Sequence, residues 1–265
     1  MKVQRGLKDA IYGASVGDAF GVPYEFHTRG SYDVRDEMIG YGTYDLPLGT
    51  FSDDTSMLLA TCDSIKHTGT IDINDMRKRF EAWAFEGEYT PDGNTFGIGN
   101  TTLLALKAQA GLDGQFDNGN GSLMRIAPLA FIDATDEEIR QVSAITHAHP
   151  LSCDTCVDFC HLLREAQKNP AVVLNALQLE FAPVPEAQIK STGYVADTWV
   201  AARWCVGTTD SYAQCIKKAV ELGDDTDTTA CVAGALAGVL YGIGDIPISW
   251  IRELRGKDII DACLF

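Results

Sequence analysis

Residues 223–229 read GDDTDTT and directly precede ACVAGALAGVLYGI at residues 230–243, the longest apolar run of the chain. The run is too short to span a membrane, and it is rich in Gly and Ala. It therefore predicts a buried helix over 226–242 that packs closely against neighbouring helices. A polar segment at the end of such a helix is a favourable place for a functional site.

The acidic segment places three carboxylates within four positions, at Asp224, Asp225 and Asp227. No Lys or Arg occurs between Lys218 and Arg252, so the local sequence supplies no positive partner. Because burying carboxylates without such a partner is costly, the pattern favours a bound cation. The alternative is an acidic helix N-cap, in which each charge contributes about 0.3–1 kcal/mol through the helix dipole.

Two named motifs resemble the acidic segment. An EF-hand loop counted from Asp225 needs Gly at its sixth position and Glu at its twelfth, where this chain has Ala230 and Leu236. The EF-hand is therefore excluded. Residues 225–229 also match the D-x-D-x-T nucleophile loop of haloacid-dehalogenase-type phosphatases. That loop follows an apolar strand in a βαβ fold, whereas here a helical pattern precedes it, so a phosphohydrolase is the lesser alternative.

Helical periodicity dominates the rest of the chain. An N-cap cluster at residues 52–55 and a capping box at residues 135–138 each open a helix. A first helix is broken by the Gly and Pro residues at 17–23, and further helices are predicted at 74–87, 101–110, 152–168, 171–180, 195–206, 210–222, 226–242 and 248–255. Polar segments rich in Gly, Asp or Asn interrupt them at 30–49, 90–99, 111–121 and 223–229. We predict one all-α domain over residues 1–265, a compact multi-helical unit with a loop-built cleft.

Composition limits the partners of this chain of 265 residues. It carries 21 basic and 37 acidic side chains, a net charge of −16, which argues against nucleic acid or an anionic membrane as the main partner. No secretory signal and no apolar stretch of 18 residues occur, so we expect a cytoplasmic protein without a membrane span. Its eight cysteines are then expected to be reduced.

Two further acidic segments supply candidate site residues. Ser52, Asp53 and Asp54 open a predicted helix, and together with the acidic segment they could complete an all-oxygen site. Such a site suits hard cations such as Mg²⁺ or Mn²⁺, and neither cluster contains Cys or His. Glu25 stands among Pro, Tyr and Phe, so burial is expected to raise its carboxyl pKa, unless the side chain points to solvent.

Three other patterns have both a structural and a functional interpretation. Residues 118–122 read NGNGS, a Gly-rich turn that could expose N–H groups to a phosphate or simply cap a helix. His147 and His149 lie at a helix end, where such a pair is more often structural. Cys153, Cys156 and Cys160 share one helix face, which favours core positions over zinc ligands.

Taken together, these segments resemble the ADP-ribosylglycohydrolase family. The matching pieces occur in the family's order from residue 13 to about 240 and cover most of the chain: GASVGDA at 13–19 with Glu25, SDDT at 52–55, GNGS at 119–122 with Met124 and Arg125, Thr146 with His147, and DTDT at 225–228. The resemblance implies an all-α fold that holds two divalent cations, Mg²⁺ or Mn²⁺, in a cleft.

The resemblance also implies roles for individual residues. The metal ligands implied are Ser52, Asp53, Asp54, Asp225, Asp227 and Thr228. Glu25 matches a glutamate that is the acid/base candidate in some relatives, and Asp54 is expected beside it as a second catalytic residue. The residues expected to hold ADP-ribose are Gly99, Asn118, Gly119, Asn120, Gly121, Ser122, Met124 and His147.

The implied function is hydrolysis of the glycosidic bond at C1″ of ADP-ribose, releasing ADP-ribose from a protein or small-molecule acceptor. The alternatives are a non-catalytic ADP-ribose-binding or structural relative and the phosphohydrolase. Gly97 departs from bacterial relatives acting on ADP-ribosyl-arginine, which often carry Asp there, while branches lacking this Asp act on serine-linked or polymeric ADP-ribose. The sequence does not choose among acceptors, between Mg²⁺ and Mn²⁺, or among oligomeric states.

Overall fold

The computed structural model describes residues 6–265, and within that range it contains twelve α-helices and no β-strand. The helices are α1 (Leu7–Gly21), α2 (Asp53–Thr68), α3 (Ile73–Glu86), α4 (Asn100–Ala108), α5 (Asp136–Ser143), α6 (Pro150–Lys168), α7 (Pro170–Phe181), α8 (Val195–Gly207), α9 (Tyr212–Glu221), α10 (Thr226–Tyr241), α11 (Ile248–Glu253) and α12 (Lys257–Cys263). Short 3₁₀ turns occupy Val22–Tyr24, Ala127–Phe131, Glu186–Gln188 and Ile243–Asp245. The predicted all-α fold is confirmed.

Helix α10 is the centre of the fold. Every residue from Thr226 to Leu240 is buried, as the apolar run predicts. Helix α1 packs along it at very short range, because the contact is lined by glycines. A Cβ atom added to Gly17 would lie 2.1 Å from the carbonyl oxygen of Ala230, and one added to Gly13 would lie 2.2 Å from that of Gly234. This close approach brings the C-terminal end of α1 beside the N-terminal end of α10.

The predicted helices are found with small shifts at their ends, and one helix is new. The pattern at 248–255 ends earlier, at Glu253, because the backbone of Leu254 leaves the helical region, with ψ of 126°. Helix α12 follows it and was not predicted, since its seven residues are too few to show a periodic pattern. Within residues 6–265 no helix is long and apolar enough to cross a lipid bilayer.

The segments between helices are tied to the site by backbone hydrogen bonds. The N–H of Leu112 donates to the carbonyl of Thr146 at 3.0 Å, and the N–H of Ala148 donates to the carbonyl of Leu112 at 2.8 Å. The N–H of Asn120 donates to the carbonyl of Gly193 at 3.0 Å. In the long connection after α1, the N–H of Thr43 donates to the carbonyl of Pro23 at 3.2 Å. These bonds fix loops that would otherwise be free to move.

The packing of α1 on α10 makes a direct prediction. Replacing Gly17 by Ala places a methyl group on the Ala230 carbonyl, so we expect the free energy of unfolding to fall by at least ~2 kcal/mol in urea titrations. Gly244→Ala is the matched control, because no atom lies within 4 Å of its added Cβ. A Gly17→Ala protein as stable as the control would show that the two helices are not this close.

Candidate active site

The start of helix α2 brings one group of carboxylates into the interior. Ser52 is the N-cap residue, and its hydroxyl accepts a hydrogen bond from the N–H of Asp54 at 3.2 Å. Asp53 and Asp54 occupy the first turn and are 7% and 1% exposed. Their position suits negative charge, because unpaired N–H groups make a helix N-terminus electropositive.

Asp18 on α1 holds this helix start in place. It is not among the candidate site residues predicted from sequence. Its fully buried carboxylate accepts bonds from the N–H of Ser52 (3.0 Å), the N–H of Thr55 (2.9 Å) and the Thr55 hydroxyl (2.6 Å). Burial raises the pKa of Asp18 to about 6, although these hydrogen bonds favour its charged form. The only sequence signal was an Asp inside a mostly apolar helix.

The start of helix α10 supplies the second group. Asp225 stands at the N-cap position, but its side chain makes no capping bond and instead accepts from the Asn120 amide at 2.7 Å. Asp227 accepts from the N–H of Thr228 at 2.9 Å. The Thr228 hydroxyl donates to Asp54 at 3.2 Å, which joins the two helix starts. A plain acidic N-cap does not describe Asp225, and the pairing of the distant acidic segments inferred from sequence is observed.

Glu25 completes what we call the acidic cluster, defined as Asp18, Glu25, Asp53, Asp54, Asp225 and Asp227. One carboxylate oxygen each of Glu25, Asp225 and Asp227 lie within 4.8 Å of one another. Burial, followed by the charge of Asp225, raises the pKa of Glu25 to about 7, even though Tyr44 contacts its carboxylate. Of the two orientations that the sequence left open for Glu25, the structure shows the buried one.

The acidic cluster lacks the positive charge that so many buried carboxylates need. Burial and the neighbouring carboxylates raise the pKa of Asp53, Asp54 and Asp227 well above the usual value. Among the described residues, no Lys or Arg lines the cleft above the cluster. One oxygen of Glu25 and one of Asp54 are buried with no hydrogen-bond partner. This donor set of carboxylate and hydroxyl oxygens suits a hard divalent cation.

The cluster forms one wall of a cleft of about 260 Å³. Residues named from sequence that line the cleft are Glu25, Asp53, Gly99, Gly119, Asn120, Gly121, Met124, His147, Asp225, Asp227 and Thr228. Lining residues that the sequence analysis did not select are Phe26, Gly97, Asn100, Thr101, Thr102 and Gly193. They come from loops and from the start of α4, whose approach to the cleft depends on long-range contacts, so no local pattern marks them.

Four of the named residues lie outside the cleft lining. Ser52 and Asp54 lie beneath it, next to Thr228. The side chain of Asn118 donates to the Gln115 carbonyl at 2.9 Å, and the buried Ser122 hydroxyl accepts from Ser143 at 2.8 Å. In this structure Asn118 and Ser122 therefore shape the turn at residues 119–121 and do not face the cleft.

A buried arginine lies behind the turn at residues 119–121. Arg125 is fully buried, donates to the carbonyl of Gly121 at 3.2 Å and stacks on the ring of Phe80 at 4.4 Å. It forms no ion pair within the described part of the chain. It also donates to the Thr146 hydroxyl at 2.7 Å, and that hydroxyl lies 2.9 Å from Nδ1 of His147.

This chain of hydrogen bonds assigns the protonation of His147. Because Arg125 can only donate, the Thr146 oxygen accepts from it, and the Thr146 proton is available to His147 Nδ1. Nδ1 is then the acceptor, and Nε2 carries the proton close to Gly119 and Gly121 at the cleft surface. Burial, together with the charge of Arg125, lowers the pKa of His147 to about 3, so the ring is a neutral donor.

The remaining histidine and cysteine patterns have structural roles. His149 Nδ1 accepts from the N–H of Leu151 at 3.2 Å and caps α6. Cys153, Cys156 and Cys160 are buried in the face of α6 that packs on the core, and all eight cysteines are free thiols. His161, the nearest histidine on that helix, pairs with Asp136 instead. The interpretation of these cysteines as core residues holds.

The chain is similar to known proteins over nearly its whole length. A family model described as ADP-ribosylglycohydrolase matches residues 2–264. This chain belongs to the ADP-ribosylglycohydrolase family. A solved structure described as an ADP-ribosylglycohydrolase-related protein complex superposes on it with a TM-score of 0.81 at 29% identity, covering 96% of this chain and 94% of that one.

Two named relatives are similar to this chain in sequence. It is 34% identical to the ADP-ribosylarginine hydrolase Tri1 of Serratia proteamaculans (strain 568), over 96% of this chain and 76% of that protein. It is 30% identical to the ADP-ribosyl-(dinitrogen reductase) glycohydrolase of Rhodospirillum rubrum, over 94% of this chain and 90% of that protein. Both relatives are named as hydrolases of ADP-ribosyl groups.

The structure gives a physical reason why residue 97 of this chain is glycine. Its backbone is left-handed, with φ of 79°, a conformation that L side chains rarely adopt. A Cβ atom at this position would lie 2.4 Å from Oδ1 of Asp53. Any side chain here therefore requires the loop or the Asp53 carboxylate to shift.

The assigned state of His147 can be measured by nitrogen NMR. We expect a neutral ring with the proton on Nε2 down to about pH 5, because burial beside Arg125 disfavours the charged form. Thr146→Val removes the donor to Nδ1 and is expected to shift the tautomer toward Nδ1–H. Thr155→Val, a buried Thr on α6 whose hydroxyl bonds Leu151, is the control and leaves the signals unchanged. A charged ring at that pH, or no response to Thr146→Val, would refute the assignment.

Proposed function

We propose that this chain is a divalent-metal-dependent hydrolase that cleaves the glycosidic bond at C1″ of ADP-ribose and frees a protein or small-molecule acceptor. The observation that carries the proposal is the acidic cluster, a set of buried carboxylates with no basic partner among the described residues, at a cleft that a neutral His donor and a glycine turn also line. The names of the two relatives support it. The eight free thiols support a reducing, cytoplasmic location, and one continuous core supports a single domain.

Two divalent cations, Mg²⁺ or Mn²⁺, are the cofactors proposed. Asp53, Asp54, Asp225, Asp227 and Thr228 would hold them, with Ser52 supporting Asp54. The fit rests on the unpartnered buried oxygen of Asp54 and on the absence of Lys or Arg from the described cleft lining. When bound, such cations supply positive charge that binds hydroxyl oxygens and acidifies water.

The glycine turn and His147 suit the diphosphate of ADP-ribose. The turn at residues 119–121 presents backbone at the cleft surface, and glycines at both its ends let a ligand approach closely. His147 adds an N–H donor, and the Arg125 charge lies directly behind. Gly99 and Met124 lie along the same cleft and are proposed to contact the ligand.

Glu25 is the proposed acid/base. Hydrolysis breaks the bond between C1″ and the acceptor, adds water to C1″ and transfers a proton to the acceptor. A carboxyl group with a pKa of about 7 can give or take that proton near neutral pH. Positive charge that develops on the sugar is favoured by the carboxylates around it. Asp54 is proposed to contribute through the same negative charge.

A phosphohydrolase of the D-x-D-x-T type needs its acidic loop at the end of a strand. Within residues 6–265 there is no strand, and the loop at 225–229 opens α10 instead. The other alternative, an ADP-ribose-binding relative without turnover, has the same cleft but no need for Glu25. The next experiment separates it from the hydrolase.

Glu25→Gln keeps the shape of the side chain and removes the carboxyl group that can give or take a proton. We expect turnover to fall by ~10²–10⁴-fold, while the affinity for ADP-ribose changes by less than about fivefold, because the glycine turn and His147 are untouched. Turnover is followed as release of ADP-ribose from a panel of Arg-, Ser- and ester-linked substrates. Glu37→Gln, at an exposed site in the following loop, is the control. Equal losses of turnover and binding would count against an acid/base role.

The raised carboxyl pKa values predict how stability depends on pH. A carboxyl group whose pKa is raised on folding stabilises the folded protein below its unfolded pKa, about 4. That contribution to the free energy of unfolding is lost as pH rises to the folded pKa. For Asp18 and Glu25 the folded values are about 6 and about 7. In EDTA we therefore expect Tm to fall between about pH 4 and 7, and Mg²⁺ or Mn²⁺ to restore it most above about pH 7.

Variants assign this effect to the acidic cluster. Asp227→Asn is expected to flatten the pH dependence and to abolish the Tm gain from Mg²⁺, because one buried charge and one ligand are lost. Asp224→Asn removes an exposed carboxylate three residues away and should leave both unchanged. A Tm gain from Mg²⁺ in the Asp227→Asn protein equal to that of the unmodified protein would contradict the metal site.

A further inference from the structure

A second depression, the side groove, adjoins the cleft just beyond Glu25. Its volume is about 400 Å³, and it is lined by residues 26–29 and 189–192 together with Leu222 and Asp224. Phe26 lies on the wall of both the cleft and the side groove. Gly193 and Asp225 line the cleft while their neighbours Thr192 and Asp224 line the groove, so the two spaces meet along these segments.

The ridge between the two spaces is held in an unusual conformation. Phe26 has a φ of 64° and Asp224 a φ of 61°, which non-glycine residues seldom adopt. The N–H of Phe26 donates to the Asp224 carbonyl at 2.7 Å, and the N–H of Asp224 donates to the His27 carbonyl at 2.9 Å. This two-way clamp holds the ridge and leaves 66% of Phe26 exposed. A strained backbone that presents a large aromatic ring next to an acid/base residue indicates ligand contact.

The proposed chemistry determines which part of the substrate reaches this ridge. The bond to be cleaved joins C1″ to the acceptor, so the acceptor atom must lie within reach of Glu25. The residue after Glu25 is Phe26, and the side groove lies beyond it. A free amino acid ends at the ridge, whereas a polypeptide continues past it.

The charge of the side groove differs from that of the whole chain. Lys190 is exposed there, and among the described residues it takes part in no ion pair. Arg29 donates to the carbonyls of Leu222, Glu186 and Ile189 and so fixes the groove wall. Arg29 and Lys190 outnumber the one carboxylate of the lining, Asp224, so the groove is locally basic in a chain of net charge −16. It complements an acidic side chain on a bound segment.

We propose that the side groove binds the polypeptide of an ADP-ribosylated protein acceptor, with Phe26 against the chain next to the modified residue and Lys190 paired with a nearby acidic side chain. This inference rests on the proposed function and narrows its substrate class to proteins. The groove is then a specificity surface that a free ADP-ribosylated amino acid does not use.

The test compares two substrates that carry the same linkage. One is the free ADP-ribosylated amino acid, and the other is a peptide of about a dozen residues with that modified residue beside Asp or Glu. The Mg²⁺-loaded full chain is assayed as wild type, as Thr28→Trp, which fills the groove, and as Lys190→Glu, which reverses its charge. Lys168→Glu, an exposed lysine that lines neither cavity, is the control.

We expect kcat/KM for the peptide to fall about tenfold in Thr28→Trp and about fivefold in Lys190→Glu, mainly through KM. For the free amino acid it should stay within about twofold in both variants. Equal losses on both substrates, unchanged peptide turnover in both variants, or a wild type that does not prefer the peptide would overturn the proposal. No release of ADP-ribose from either substrate by wild type would instead overturn the proposed function, and the groove assignment with it.

Discussion

Clustered buried carboxylates without a basic side chain are the constraint on which the rest of this structure depends. Asp18, Glu25, Asp53, Asp54 and Asp227 are each at most 7% exposed. Two helix N-termini, those of α2 and α10, point at the cluster and supply part of the missing positive charge. They meet only because glycines let α1 lie directly on α10. The acidic segment before α10 and the apolar contact between α1 and α10 therefore form the site together. A bound cation would supply the positive charge that the acidic cluster lacks.

The cleft holds negative charge and a nearby buried positive charge. The acidic cluster supplies the carboxylates, while Arg125, which forms no ion pair among the described residues, lies behind the turn at residues 119–121, and Thr146 relays its hydrogen bonding to His147. Burial lowers the pKa of Arg125 only to about 10, so its charge persists at neutral pH. An anionic group is favoured beside the glycine turn, and hydroxyls or positive charge are favoured beside the carboxylates. ADP-ribose has its diphosphate and its distal ribose in that order.

Local patterns predicted much of this arrangement from sequence. Acidic residues at helix starts, the buried α10 and the Gly-rich turn carry strong local signals, and most of the residues selected from them line the cleft. Asp18, Arg125 and Phe26 were not assigned functions, because their importance comes from partners between about 20 and 200 positions away. The closeness of Gly97 to Asp53 likewise depends on how a loop meets the start of α2. Short helices such as α12 offer too few residues for a pattern to show.

Where the cleavage occurs is the most direct test of the account. The protein with Mg²⁺ is incubated with ADP-ribosylated substrates in water enriched in the heavy isotope oxygen-18. The masses of the products are then measured by mass spectrometry. The account predicts intact ADP-ribose that carries one heavy oxygen, together with an acceptor that carries none. Release of AMP or inorganic phosphate, or a heavy oxygen found on the acceptor, would contradict glycosidic hydrolysis at C1″.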